Sequence, residues 1–260
     1  MTEEYASAVD DLLDRCLESY GRLEEAMNYA LFPGGKRVRP ALALAVCDML
    51  CGKPDRALPY AAAIELIHTY SLIHDDLPCM DDDAVRRGKP SCHVAYGETL
   101  ALLAGDALLT KAFSVASEGG SAEAVRVISD NAYEMAMGQA EEFVNKDADQ
   151  SVDNILNIYA RKTSALLIAA AVCGGIAAGA DGETLDRLRA FALNLGLAFQ
   201  VRDDLLDADC EDCPLIKKLG REGAETLAAE LTAKAEDALA GFAGNGYLLA
   251  FTEKLLHRNR

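Results

Sequence analysis

Five aspartates stand within nine residues: Asp75, Asp76, Asp81, Asp82 and Asp83, inside the stretch His68 to Gly88. The residues ahead of them are apolar or uncharged, and an Arg86-Arg87 pair follows. Pro78 sets the local geometry, because the residue before a proline is pushed out of the α region. A helix carrying His68 should therefore end near Asp76. Negative charge at a helix C-terminus is disfavoured by up to about 1 kcal/mol per group. Acids gathered there tolerate one another only if cations bind. Oxygen donors with no His or Cys at ligand spacing suit a hard cation such as Mg²⁺.

A second acid row reads Gln200-Val201-Arg202-Asp203-Asp204-Leu205-Leu206-Asp207. On a helix, positions 200, 203, 204 and 207 share one face. The preceding Leu193 to Phe199 is almost wholly apolar, so these acids close a core helix. One such row is ordinarily surface charge. Two rows, each ending an apolar helix, are expected to face each other across a bundle and hold metal between them.

Basic groups cluster as well. Gly34-Gly35-Lys36-Arg37-Val38-Arg39-Pro40 looks at first like a phosphate loop, but that motif needs Gly at 30 and Ser or Thr at 37, where this chain has Ala30 and Arg37. What remains is a diglycine that lets backbone approach a ligand, then three cations at a helix start. Arg86-Arg87 and Lys162-Thr163 add to the set, and arginine forks suit phosphate oxygens. His68 lies two helical turns before Asp75, on the same face. His74 abuts Asp75, but no Ser or Cys completes a nucleophilic triad with it. His93 and His257 have no comparable setting.

These residues need elements to position them. All seven prolines lie at or before 90 or at 214, which leaves a long proline-free block free to be helical. Apolar residues recur there at three- and four-residue spacing, and strand-type alternation is sustained nowhere. The spacing predicts about ten helices, at 3–19, 23–31, 37–51, 56–76, 94–117, 121–144, 152–160, 163–178, 183–208, 222–240 and 246–258, with no significant sheet. Short Gly-rich connections and the absence of a linker point to one all-α domain over residues 1–260, a helical bundle around a central cavity.

Composition narrows the function. A net charge of −17 over 260 residues excludes nucleic acid as the main partner, since a phosphate backbone wants a basic footprint. The eight cysteines scatter through helix-like sequence, and Cys210-Glu-Asp-Cys213 lacks the second pair a zinc site needs. They read as reduced thiols of a cytoplasmic protein. The N-terminus shows neither a basic region nor an apolar run of signal-peptide type. Thr163 to Ala180 is uncharged for 18 residues, but it is mostly Ala and Gly and reads as a buried central helix rather than a membrane span.

Taken together, the motifs resemble the short-chain trans-polyprenyl diphosphate synthases, in particular the bacterial farnesyl and geranylgeranyl diphosphate synthases. The matching stretches are 34–40, 68–98, 103–113, 138–143, 161–167 and 196–207, in the family's order. The resemblance implies an all-α homodimer that joins isopentenyl diphosphate to an allylic diphosphate, with about three Mg²⁺ per site and no stable membrane insertion. It implies that Asp75 and Asp81 hold Mg²⁺ from one wall with Asp76 in support, and that Asp203 does so from the other with Asp204 and Asp207 in support. Arg86, Lys162, Thr163, Gln200 and Lys217 would hold the allylic diphosphate, with Lys218 a rival to Lys217. Lys36, Arg39, His68 and Arg87 would hold isopentenyl diphosphate. Tyr70, with Ser71 beside it, would floor the cavity and set product length. An aromatic there, with four residues between Asp76 and Asp81, implies farnesyl diphosphate, with geranylgeranyl diphosphate as the alternative.

There is one departure. After Asp207 the family usually carries a longer loop with a GK-(S/T)-x-Y segment; here 208–221 reads ADCEDCPLIKKLGR. The stretch 144–151 is short as well. Three rival readings fit less well. A class I terpene cyclase needs no second diphosphate site and normally replaces the second Asp row. A catalytically silent partner subunit tends to lose one row. A calcium binder would show the EF-hand pattern, which 75–87 lacks.

Overall fold

The computed structural model describes residues 2–17, 21–32, 35–145, 148–207 and 213–256. Among these, helices dominate: α1 (Thr2–Cys16), α2 (Arg22–Leu31), α3 (Val38–Cys51), a 3-10 turn (Pro54–Ala57), α4 (Leu58–Asp75), α5 (Cys92–Tyr96), α6 (Glu98–Ser117), α7 (Ala122–Val144), α8 (Val152–Tyr159), a π-helical turn (Ala160–Ser164), α9 (Ala165–Ala178), α10 (Gly182–Leu206), α11 (Pro214–Ala238) and α12 (Gly246–Leu256). The all-α expectation holds. The elements differ from it in four places with physical causes, one of them a break at Gly97, at φ 87°, that divides the predicted 94–117 helix into α5 and α6. Residues 152–178 form one continuous helical rod, its two predicted halves joined by the π turn. Helix α11 starts at Pro214 rather than 222 and bends at Gly220, whose φ of 69° no helix accommodates. Val85–Arg86 and Lys89–Pro90 pair as a two-residue antiparallel ladder, turned by Arg87 and Gly88 at positive φ.

Local chemistry fixes the ends. Ser121, Ser151 and Asp181 each accept a backbone N–H from the first turn of α7, α8 and α10, at 3.2, 3.2 and 2.9 Å. Gly52 and Gly179 close α3 and α9 in the left-handed conformation that lacks a Cβ penalty. Helices α3, α4 and α9 are apolar nearly all round and form the centre, with α6, α7, α10 and α11 packed outside them. Contact between α3 and α9 is so close that a Cβ on Gly174 would sit 2.4 Å from the Ala43 carbonyl oxygen. Two stretches, Glu98–Ser117 and Val152–Ala178, are long and apolar enough to cross a membrane by composition. The second is mostly buried between α3, α7 and α10, as a central helix should be. The seven described cysteines are unbridged; Cys210 lies outside the described residues.

Candidate active site

Helix α4 ends at Asp75, and the chain then folds back on it. The Asp81 N–H donates to the Asp75 carbonyl at 2.9 Å, and the Asp82 N–H to the Leu77 carbonyl at 3.2 Å. Asp82 takes a left-handed φ of 54° to make the turn. This is how a loop brings Asp81 alongside Asp75. Burial pushes the Asp75 carboxyl up to about 6; Asp81 and Asp76 push the same way, against the pull of Lys162 and Arg86. Asp76 points elsewhere. It is 2% exposed and is held by a two-pronged pair from Arg86, whose Nε lies 3.0 Å from Oδ1 and 3.2 Å from Oδ2. Arg86 also reaches Asp83 at 3.4 Å.

The second row ends α10. Asp204 is 7% exposed and accepts the Tyr159 hydroxyl at 2.6 Å and the Gln200 amide at 3.2 Å. Burial raises its carboxyl, and these two donors hold it down. Gln200 in turn accepts the Thr163 hydroxyl at 2.9 Å. Asp203 is half-buried and Asp207 is exposed, at the end of the helix.

Between the rows lies the π turn. It carries Lys162, which pairs with Glu142 of α7, and Thr163, which is tied to α10. Two glycines permit this. A Cβ on Gly138 of α7 would come within 2.5 Å of the Lys162 backbone nitrogen, and one on Gly196 of α10 within 2.3 Å of Ser164 Oγ. Arg161 is anchored outward on Glu134 at 3.2 Å and on Glu141.

A cavity of about 590 Å³ opens beside the first row and the π turn. Asp75, Lys162 and Thr163 line it, with Arg39 and His68 at the basic side and Tyr70 and Ser71 on α4. Met135, Ala136, Ala140 and Phe143 of α7 give it an apolar wall. Two polar groups in this lining, Arg39 Nε and Gln139 Nε2, are buried without a hydrogen-bond partner. Buried donors are rarely left so, which marks the cavity as built for an acceptor-rich ligand. Burial first, then the nearby Arg39 and Arg87, drive the His68 imidazole well below its usual range, so it stands neutral. Ser71 Oγ donates to the His68 carbonyl at 2.9 Å, and the Tyr70 ring meets His74 edge-on at 5.6 Å.

The remaining sequence candidates fall as follows. The Arg87 guanidinium lies on Gly35, where a Cβ would be 2.6 Å from its Nη2. Lys36 is not brought into the cavity; it lines a separate groove between α1 and α12. Arg37, the middle cation of the 34–40 stretch, has a structural role. It is 3% exposed, pairs with Glu65 at 2.6 Å and Asp10 at 2.8 Å, and donates to the Leu31 carbonyl. Lys218 pairs with Asp149, and Lys217 precedes it on α11. Residues 33–34, 208–212 and 257–260, with Gly34 and His257 among them, lie outside the described residues. Tyr159, Glu142 and Gln139 were not singled out from the sequence; only the motif positions nearby, 138–143 and 161–167, hinted at them.

Among the described residues no three His, Cys, Asp or Glu side chains close on an ion by themselves. The donor set still fits a hard cation. It is all oxygen, and a desolvated Asp75 pressed by Asp81 is a carboxylate that a cation relieves. Such an ion would complete its shell with oxygens of a bound diphosphate.

A helical bundle with an Asp-Asp pair ending each of α4 and α10, and an apolar cavity lined by Asp75, Arg39, Lys162 and Thr163, defines an isoprenoid-synthase type of protein. The chain belongs to the polyprenyl synthetase family, whose pattern matches residues 21–235. It is 44% identical over 211 residues to a chloroplastic geranylgeranyl pyrophosphate synthase of Catharanthus roseus, covering 77% of this chain and 59% of that one. It is 38% identical over 210 residues to the farnesyl diphosphate synthase of Bacillus subtilis, covering 77% and 71%. The crystal structure of a geranyltranstransferase from Thermotoga maritima superposes with a TM-score of 0.86 at 35% identity, over 98% of this chain and 96% of that one. The chain thus spans less than two thirds of the length of the Catharanthus protein.

Proposed function

We propose that this protein is a prenyltransferase that condenses isopentenyl diphosphate with dimethylallyl or geranyl diphosphate, making farnesyl diphosphate. One observation carries the reading. Two successive residues of the π turn lie between the acid rows: Lys162, paired with Glu142, lines the same cavity as Asp75, and Thr163 is bonded through Gln200 to Asp204. Asp75 and Asp81 would hold magnesium from one side and Asp203 from the other, with about three ions per site. Once bound, magnesium supplies positive charge for the pyrophosphate that departs.

The chain's own groups do the rest. Arg86, Lys162, Gln200 and Lys217 orient the allylic diphosphate. Thr163 has its hydroxyl proton committed to Gln200, so it offers lone pairs to the cavity. Arg39, His68 and Arg87 orient isopentenyl diphosphate, and a neutral His68 donates one hydrogen bond without adding charge. The apolar α7 wall keeps water from the allylic cation.

Purified protein incubated with Mg²⁺, isopentenyl diphosphate and each of dimethylallyl, geranyl and farnesyl diphosphate should yield a fifteen-carbon product from the first two. No condensation with any starter would sink the proposal. Geranylgeranyl diphosphate is the second reading, favoured by the Catharanthus relative's name. We also read the protein as a homodimer. Leu102 and Leu103 on α6, with Tyr133 on α7, leave large apolar side chains exposed on neighbouring helices. Light scattering should return twice the chain mass.

A further inference from the structure

Tyr159 belongs to neither aspartate row. It ends α8, one residue before the π turn, and its ring is buried. Its hydroxyl lies 2.6 Å from Oδ2 of Asp204, while Nε2 of Gln200 lies 3.2 Å from Oδ1. An ionised carboxylate only accepts, so every proton in this chain of contacts has a fixed place. Tyr159 donates to Asp204. Gln200 must turn its amide nitrogen to Asp204 and hence its carbonyl oxygen to Thr163. Thr163 then gives its hydroxyl proton to that oxygen across 2.9 Å. Either carboxylate oxygen of Asp204 has one donor, and neither donor is solvent.

We infer that Tyr159 is a positioning residue for the second aspartate row: by pinning Asp204 as a double acceptor, its hydroxyl holds the α10 face that presents Asp203 and Asp207. The inference rests on the reading that this row holds magnesium diphosphate. Without the hydroxyl, Asp204 keeps only the Gln200 amide on one oxygen, its other oxygen is left without a donor, and the face it belongs to loosens. Partners behind a metal-binding group commonly change affinity by about 10- to 100-fold when removed.

The test measures binding rather than turnover. Magnesium with inorganic pyrophosphate is titrated calorimetrically into the wild-type protein, Tyr159→Phe, Asp204→Asn and the double variant, with melting temperatures taken in the absence of metal. Tyr159→Phe should bind about tenfold more weakly, and the double variant no more weakly than Asp204→Asn alone. Equal affinity of wild type and Tyr159→Phe, with only a lower melting temperature, would overturn the inference, because the tyrosine would then be structural. Additive losses in the double variant would overturn it too. Wild-type protein that bound no magnesium pyrophosphate would bring down the metal reading, and the positioning role with it. Should Tyr159→Phe fail to fold, the hydroxyl proton is followed in wild-type protein by NMR. Slow exchange, unchanged by magnesium pyrophosphate, supports the role, and fast exchange removes it.

Discussion

Asp76 and Asp204 hold the same place in their two rows. Each is the second member of an Asp-Asp pair, each is nearly buried, and each carboxylate is taken up by side chains of its own chain. Arg86 occupies the first; Tyr159 and Gln200 occupy the second. The second carboxylate of each pair therefore anchors its helix end, while in the first row its neighbour Asp75 meets the cavity.

The Asp76–Arg86 pair makes a stability prediction. Arg86→Ala would leave a carboxylate of 2% exposure without its fork. Breaking a buried pair by removing one partner costs about 3–5 kcal/mol. Arg86 is itself partly exposed, so water replaces some of what is lost and a cost on the order of 2 kcal/mol is expected. Arg86→Lys should recover part of it but not the two-pronged contact. Urea unfolding of the three proteins measures both; an Arg86→Ala variant as stable as wild type would show that Asp76 finds another partner.

Asp75 makes a pH prediction. Its carboxyl rises from 3.8 to about 6 on folding, chiefly through burial. The folded state then holds the proton more tightly than the unfolded state, so ionising Asp75 opposes folding. That penalty is absent below the unfolded value, grows between 3.8 and about 6, and is complete above. Metal-free protein should lose stability as pH rises through this window, a trend that Asp75→Asn should weaken, with buried Asp204 adding a loss of the same sign. Magnesium competes with the same proton, so its affinity should climb over the same interval. Melting temperature against pH, with and without Mg²⁺, reads both trends.

Much of this was legible before any coordinates. The two acid rows, the basic loop and most helices follow from apolar spacing and from Pro78, because those signals are local. What stayed hidden depends on partners far apart in the chain. Nothing near Tyr159 announces a hydroxyl aimed at Asp204, 45 positions later. Arg37 reads as one cation among three until Glu65 and Asp10 arrive to bury it. The π turn at 160–164 is also silent, since an extra residue in a helical turn leaves the apolar pattern almost intact, and it is revealed only by the glycines packed against it.

Those glycines are testable. Gly138 and Gly196 grip the π turn from α7 and α10, and the atoms a Cβ would strike include the Lys162 backbone nitrogen and the Ser164 Cα, which cannot swing aside. Gly138→Ala or Gly196→Ala should destabilise the protein by about 1–3 kcal/mol or more. Activity should fall further than stability explains, because Lys162 and Thr163 sit on the displaced turn. Turnover well below the melting temperature of each variant separates the two effects. An unaffected rate in both would show that the turn absorbs the shift.

Product length follows from Tyr70. One helical turn and a fraction separate it from Asp75, about 7.5 Å along the axis, so its ring meets a chain that grows away from the diphosphate. The ring lines the cavity and leans edge-on against His74, whose Nε2 donates to the Leu102 carbonyl at 3.0 Å. Gly105 leaves no room for His74 to retreat, since a Cβ there would lie 2.1 Å from Nε2. The floor is therefore a braced aromatic rather than a swinging one. Tyr70→Ala removes the ring and opens the cavity downward, so products of twenty carbons or more should appear at the expense of fifteen. Tyr70→Phe keeps the ring and should leave the distribution unchanged. Chromatography of the dephosphorylated prenyl alcohols resolves the lengths; the same product from all three proteins would place the floor elsewhere, with the α7 side chains Met135 and Phe143 the next to truncate.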